Sequence, residues 1–314
     1  MSTDRPPFTS TGRPPIISIH VLPRAESATF HESSYFSRNG PGAELPAPAD
    51  VRARGAVQDP QWYHRTFAPR PVRFEELGLI VKLGSAPHVT VAEGLCLWAL
   101  QRILPGVPVP EVYGWTHDNG QVFIYMALVP QSVNLEQRWD TLNRAARLKI
   151  CEQLRLLILE LRTLRHAPGE FFLGHINRKP LGDIVFTSEN CPPAGPFASV
   201  AEFHDWMSTT IKTPLRHHFP GKEVSEIPDA YREAMSDDWD VVFTQADLHP
   251  SNIMVSDESN ESSCKITAII DWRQSGWYPD YWEFCKAAYT ADVYGEWLDV
   301  YIPLFLDEPS CVDT

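Results

Sequence analysis

The sequence has few of the features that would assign it to a membrane or to an oxidising compartment. No apolar stretch approaches the roughly 20 residues that cross a bilayer, and the first residues, MSTDRPPFTSTGRPP, lack the apolar core of a secretory signal. The six cysteines are far apart and form no Cys-x-x-Cys pair, so we expect reduced, mostly buried thiols. These absences predict an ordered cytoplasmic protein that does not act on membranes.

Basic residues are also scarce. The chain has 27 Lys and Arg against 40 Asp and Glu, which gives a formal net charge of −13. Nucleic acids and anionic membranes are bound by clustered Lys and Arg, so this balance disfavours both as partners. The acidity suits a cationic small molecule, although many proteins are acidic for solubility alone.

A chain of 314 residues is long enough for one large or two modest domains. Its first sixty residues are rich in Pro, Ser, Gly and Arg and show little periodicity, which predicts an extended arm. A hairpin is expected from Val72–Phe74 and Leu79–Leu83, then a helix over 90–104 and a strand over 122–129. Further helices are predicted from about Thr141, with a buried apolar face, and over 200–207.

The stretch VVFTQADLHPSNIMV, residues 241–255, places Asp247 and Asn252 five residues apart on one loop between two apolar runs. A second carboxylate, Asp271, follows a third apolar run, 266–270. Asp and Asn also favour ordinary turns and strand ends. Two acids and an amide at the ends of short strands nevertheless suit phosphoryl transfer, which needs a carboxylate to orient the attacking hydroxyl and oxygen ligands for Mg²⁺. Asp247 is the predicted base, and Asn252 and Asp271 are the predicted metal ligands.

These segments resemble a known family. QADLHPSNI at 245–253, IIDW at 269–272 and GWYP at 276–279 are similar to the catalytic loop and following motifs of the aminoglycoside phosphotransferase and choline kinase relatives of protein kinases, especially a fungal branch. The similarity extends from about Tyr35 to about Leu306. It implies an α+β, protein kinase-like fold with a small β-rich lobe and a larger, mostly helical lobe. The expected division is an N-terminal extension over 1–60, the small lobe over 61–129 and the large lobe over 130–314.

The resemblance also implies a nucleotide site. Lys82, inside an apolar strand, is expected to bind the phosphates of ATP, and Glu93 on the next helix is expected to pair with it. Glu93 has an alternative role, because Thr90 to Glu93 also reads as a capping box. Backbone groups of Ala127 and Val129 are expected to meet the adenine edge.

Two departures from the family pattern stand out. Gln245 occupies the position two before the base, where the family usually has His; its amide can still hydrogen-bond to backbone. No Gly-x-Gly-x-x-Gly precedes Lys82. Gly55 and the segment 66–73 are the nearby candidates for a loop that covers the phosphates.

We therefore expect an ATP- and Mg²⁺-dependent phosphotransferase that acts on a hydroxyl of a small molecule. His249 is either a substrate contact or a packed loop residue, and Asp280 and Glu283 are candidate contacts to a cationic acceptor. One alternative is a catalytically impaired, pseudokinase-like binding or scaffold protein, which Gln245 and the missing glycine loop favour. A metal-dependent hydrolase is a further alternative, but it leaves Lys82 without a role. The sequence specifies neither the acceptor nor an oligomeric state.

Overall fold

The computed structural model describes residues 13–40, 42–59, 61, 69–187, 191–257 and 264–309. The strands, numbered along the chain, are β1 (Ile16–Ile17), β2 (Ala28–Thr29), β3 (Val72–Phe74), β4 (Leu79–Gly84), β5 (Val112–Asp118), β6 (Gln121–Ala127), β7 (Ser132–Asn134), β8 (Arg165–His166), β9 (Val241–Thr244), β10 (Ile253–Ser256), β11 (Ile266–Ile269) and β12 (Gly276–Pro279). The α-helices are α1 (Ser34–Asn39), α2 (Pro48–Gln58), α3 (Val91–Ile103), α4 (Leu135–Arg138), α5 (Arg144–Leu161), α6 (Val200–Lys212), α7 (Ala230–Ala234), α8 (Trp282–Thr290) and α9 (Ile302–Phe305).

The N-terminal part is built on an antiparallel sheet with the strand order β2-β5-β6-β4-β3. The predicted hairpin is confirmed as β3 and β4, which pair from Val72 opposite Val81 to Phe74 opposite Leu79. The predicted helix and the following strand are confirmed as α3 and β6. Strand β5 was not predicted, because its first four residues are buried together and show no alternation of apolar and polar residues.

The prediction of an extended arm is wrong for residues 34–39 and 48–58, which form α1 and α2 and pack on this sheet. Tyr35 in α1 and Val51 in α2 are buried in the same apolar cluster as Val81 and Phe123. Both helices are short, and such helices gain most of their stability from tertiary packing rather than from a periodic pattern that the sequence would reveal. Pro48 begins α2, at the one helical position where proline is favourable.

The C-terminal part is larger and mainly helical. The long helix predicted from about Thr141 is α5, which Asn143 caps by accepting from the Ala146 amide. Its apolar face is core, as predicted, with Leu154, Ile158 and Leu161 buried. The predicted α+β fold, with a small sheet-rich lobe and a larger helical lobe, is confirmed. None of the described helices combines the length and hydropathy needed to cross a bilayer.

Two small sheets in the larger lobe position the loops that carry the predicted site. Strand β10 lies between β11 and β7, and β9 pairs with β12. Because β10 pairs with β11, the loop from β9 to β10 lies next to the end of β11. The Ile270 amide donates to the carbonyl of Asn252 across this contact (2.9 Å). The strand ends thus bring residues 247, 252 and 271 to one edge.

Candidate active site

Asp247 is held at the start of the loop between β9 and β10 by its own neighbours. Asn252 Nδ2 donates to the main-chain oxygen (2.8 Å) and to Oδ2 (3.0 Å) of Asp247. Because both bonds use the amide nitrogen, Oδ1 of Asn252 is left as the acceptor atom of this side chain. The five-residue spacing therefore fixes the Asp247 carboxylate and orients the Asn252 amide at the same time.

Gln245 joins this loop to Asp271. Its Oε1 accepts from the Asp247 amide (2.7 Å), and its Nε2 donates to the carbonyl oxygens of Ile270 (3.1 Å) and Asp271 (3.0 Å). Asp271 itself has a left-handed backbone, with φ of 56°. One side chain thus bonds to the backbone at both predicted acids, and the replacement of His by Gln leaves the connection between the two loops intact.

Lys82 is at the centre of an ion-pair triad. Its Nζ lies 2.8 to 2.9 Å from the carboxylate oxygens of Glu93 and 2.8 Å from Oδ1 of Asp271. The Thr90 side chain makes no capping hydrogen bond to α3, so the capping box considered from the sequence is not formed. Glu93 is buried and its carboxylate contacts the lysine, which is the ion pair expected from the sequence.

The two aspartates have opposite electrostatic surroundings. Burial opposes ionisation of Asp271, but Lys82 and then Arg273 outweigh it and lower the pKa of this carboxyl. Burial and the nearby charge of Asp271 raise the pKa of Asp247, against the smaller effects of Lys286, Gln274 and Asn252. These surroundings favour the ionised form of Asp271, which suits a cation, and they give Asp247 the higher proton affinity that suits a general base.

The residues fit a magnesium ion bound together with a nucleotide. Among the described residues, no group of three or more His, Cys, Asp or Glu could hold a metal by itself. Mg²⁺ usually keeps water ligands and takes one or two carboxylates plus substrate phosphates. The Asp271 carboxylate, 37% exposed, and Oδ1 of Asn252 would supply oxygen ligands for such an ion.

One of the three candidate acceptor contacts, Glu283, is placed differently from expectation. Glu283 is 3% exposed and accepts hydrogen bonds from the amides of Gln245 (2.8 Å) and Ala246 (3.1 Å), so the prediction that it contacts a cationic acceptor is wrong. It instead supports the backbone beside Asp247. His249 Nδ1 contacts the Ser251 hydroxyl (2.8 Å) within the loop, which agrees with a packed loop residue. Asp280 is half-buried, and its carbonyl accepts from Arg162 (2.8 Å).

The expected adenine contacts lie at the end of β6. The amide of Ala127 donates to the Glu111 carbonyl (2.8 Å), so that N–H is not available to an adenine and a contact from Ala127 is restricted to its carbonyl oxygen. Val129 follows two residues later, beyond the strand. Gly55 lies inside α2, which excludes it from a loop over the phosphates. Of the other candidate, 66–73, residues 66–68 lie outside the described part of the chain.

A buried polar network beside Asp247 was missed from the sequence. Lys286 pairs with Asp183 (2.7 Å), and both are almost fully buried. Gln274 Oε1 accepts from Lys286 Nζ (3.2 Å) and from the Ile184 amide (2.8 Å), which leaves the Gln274 amide nitrogen as the donor to the Asp247 carboxylate. The only signal in the sequence was Lys286 itself, a lone charge between apolar residues of α8.

Arg273 follows Asp271 by two residues. Its Nη1 donates to the carbonyl of Gly182 (3.1 Å). Its charge acts on both Asp271 and Glu93.

Comparison with known proteins gives one family match. Residues 92–308 match the model described as the phosphotransferase enzyme family, APH. Curated protein sequences give no significant match. Among solved structures, the crystal structure of aminoglycoside-3'-phosphotransferase of type VIII is 18% identical, with a TM-score of 0.44 over 79% of this chain and 78% of that chain. A thermostable mutant of aminoglycoside phosphotransferase APH(4)-Ia, in its apo form, is 14% identical, with a TM-score of 0.44 over 74% and 70%.

Proposed function

Because the chain belongs to the phosphotransferase enzyme family, we propose that it transfers the γ-phosphoryl group of ATP to a hydroxyl of a small molecule. The observation that carries this proposal is the directly bonded group of Lys82, Asp271, Gln245 and Asp247, described above. It combines a phosphate-binding cation, a metal-binding anion and a base within one hydrogen-bonded unit.

Asp247 is the proposed base. Its carboxylate accepts the proton of the acceptor hydroxyl as the oxygen attacks the γ-phosphorus and the β–γ bridging oxygen leaves with ADP. Asn252 and Gln274 fix the orientation of the carboxylate, so the base is positioned before the acceptor binds.

Lys82 is the proposed phosphate ligand. Burial opposes its charge, but Glu93 and Asp271 together raise its pKa, so it stays a cation for the α- and β-phosphates. Asn252 and Asp271 would hold Mg²⁺, which supplies charge neutralisation of the phosphates when it is bound. The Ala127 carbonyl and Val129 are the proposed backbone contacts to adenine.

The base is tested by the substitution Asp247→Asn. We expect turnover with a panel of hydroxylated acceptors and labelled ATP to fall roughly 10²- to 10⁴-fold, the usual contribution of a positioned general base. The same substitution at the exposed Asp257, Asp257→Asn, is the matched control and should keep wild-type activity. Undiminished turnover in Asp247→Asn would remove this carboxylate from the mechanism.

A second candidate function, a nucleotide-independent binding or scaffold protein, is favoured by the lack of a Gly-x-Gly-x-x-Gly sequence before Lys82. Thermal denaturation with ATP and Mg²⁺ separates the two. A ligand at 100 times its dissociation constant stabilises a protein by about 2.7 kcal/mol. A clear upward shift with ATP and Mg²⁺ in both wild type and Asp247→Asn supports the phosphotransferase, whereas no shift in either supports the scaffold.

A further inference from the structure

A large cavity lies beside the candidate active site. Its volume is about 940 Å³, at the upper end of the range for small-molecule sites. Its walls come mainly from the segment 19–26, the first turn of α3 and the segments 175–187 and 191–194. Lys82, Asp247 and Asp271 do not line it, whereas Arg273 does, so the cavity adjoins the catalytic residues without containing them.

Most of the wall is apolar. The apolar lining side chains come from both lobes and from the N-terminal segment, and they include Leu22, Leu95, Val122, Leu181 and Phe186. Each of these is at least nine-tenths buried within the protein. A wall of this kind gains free energy by covering the apolar part of a ligand.

The wall also contains polar groups without internal partners. Both ring nitrogens of His175 are buried and make no hydrogen bond of good geometry, although Asn177 lies close enough to act on the ring. Burial lowers the pKa of His175 to about 4, so the ring is neutral near pH 7 and has one N–H to donate. Thr90, which directly precedes α3, and the first two residues of the helix, Val91 and Ala92, also line the cavity. The first amides of a helix have no intrahelical acceptor and favour anions.

The charged residues of the wall are mainly cations. Arg24, Lys179 and Arg273 line the cavity against one carboxylate, Glu26, in a protein whose net charge is −13. One N–H of the Arg273 guanidinium is bonded to Gly182, which leaves its other donors for a ligand. Asp271 and Glu93 lie within range of the same guanidinium and balance part of its charge.

We propose that this cavity is a second ligand site, which binds a small molecule with an apolar body and a single carboxylate. Arg273, His175 and the start of α3 bind the carboxylate, and the apolar wall holds the body of the ligand. Binding here needs neither nucleotide nor turnover, so the site is independent of the phosphoryl transfer proposed above.

Decanoate is a suitable probe, and a cysteine in the wall reports its binding. Cys191 lines the cavity, whereas Cys285 is exposed and lies outside it. Alkylation of each cysteine by iodoacetamide is followed by peptide mass spectrometry, with decanoate kept below its micelle concentration. At ten times its dissociation constant, decanoate should slow alkylation of Cys191 about tenfold and leave Cys285 unchanged. The cation decyltrimethylammonium should bind at least about tenfold more weakly, the equivalent of one charge-assisted hydrogen bond, and at the same concentration it should slow alkylation of Cys191 at most about twofold.

A matched pair of variants tests the location. Ala92 and Ala145 both occupy the second position of a long helix, but only Ala92 lines the cavity. We expect Ala92→Trp to fill the space and weaken decanoate binding at least about tenfold by calorimetry, while Ala145→Trp binds as wild type does. Equal protection by the anion and the cation on the wild-type protein, or equal decanoate affinity in two folded tryptophan variants, would overturn the proposal. If Ala92→Trp does not fold, the ion comparison on the wild type decides.

Discussion

The buried Glu283 makes the stability of the fold depend on pH in a way that can be measured. Burial raises its pKa from 4.5 to about 7, against the hydrogen bonds from the amides of Gln245 and Ala246. An acid whose pKa is higher in the folded protein stabilises the fold below the unfolded pKa, and this contribution is lost as the pH rises through the folded value. The free energy of unfolding should therefore fall between about pH 4.5 and pH 7.

The size of the effect follows from the same shift. A rise from 4.5 to about 7 corresponds to about 3 kcal/mol, at about 1.4 kcal/mol for each pH unit. The substitution Glu283→Gln keeps an oxygen that accepts from the two amides but removes the ionisable group. The variant should lose most of this pH dependence, whatever its absolute stability.

Urea denaturation at pH 5, 6, 7 and 8, followed by tryptophan fluorescence, measures the slope. We expect the wild-type free energy of unfolding to fall relative to Glu283→Gln by about 2 kcal/mol from pH 5 to pH 7, and by only a few tenths of a kcal/mol more from pH 7 to pH 8. Glu136→Gln, at an exposed position of α4, is the control and should follow the wild type. Parallel curves for wild type and Glu283→Gln across the range would show that this carboxyl is not the source of the pH dependence.

Two further substitutions test the site and the sheet. Gln274→Leu removes the hydrogen bond that lowers the pKa of Asp247, so the acidic limb of the kcat profile should move to higher pH; an unmoved limb would contradict the assigned contact. Gly114→Ala places a Cβ against the carbonyl oxygen of Ala28, on the neighbouring strand, and should cost about 1 to 3 kcal/mol in urea denaturation. Gly42→Ala, with no atom near the added Cβ, is the control.

The sequence predicts those parts of the site whose residues lie close together along the chain. Asp247 and Asn252 share one loop, and strands on either side of it are recognisable as apolar runs. Lys82 and Glu93 lie on consecutive elements, a buried strand and the helix that packs beside it. In both pairs the local pattern leaves few ways to place the side chains. The ion pair between Lys82 and Glu93 then follows because a buried lysine needs a partner.

The part that the sequence does not predict depends on contacts between distant segments. Lys286 meets Asp183 across 103 positions of the chain, and Glu283 meets Ala246 across 37. Nothing in the spacing of α8 shows which of its faces turns toward the catalytic loop. The sequence therefore predicts that Glu283 contacts a cationic acceptor, whereas packing places this side chain inside the protein.

Gln245 shows why a departure from a family pattern need not remove the function of the position. The position requires one acceptor for the Asp247 amide and one donor for the carbonyls of Ile270 and Asp271, and the amide of Gln245 supplies both. A neutral histidine offers the same pair of groups, but a protonated one has no acceptor left. Glutamine therefore keeps the connection between the two aspartates at every pH. The retained geometry at the proposed base and metal ligands favours turnover at the site over the scaffold alternative.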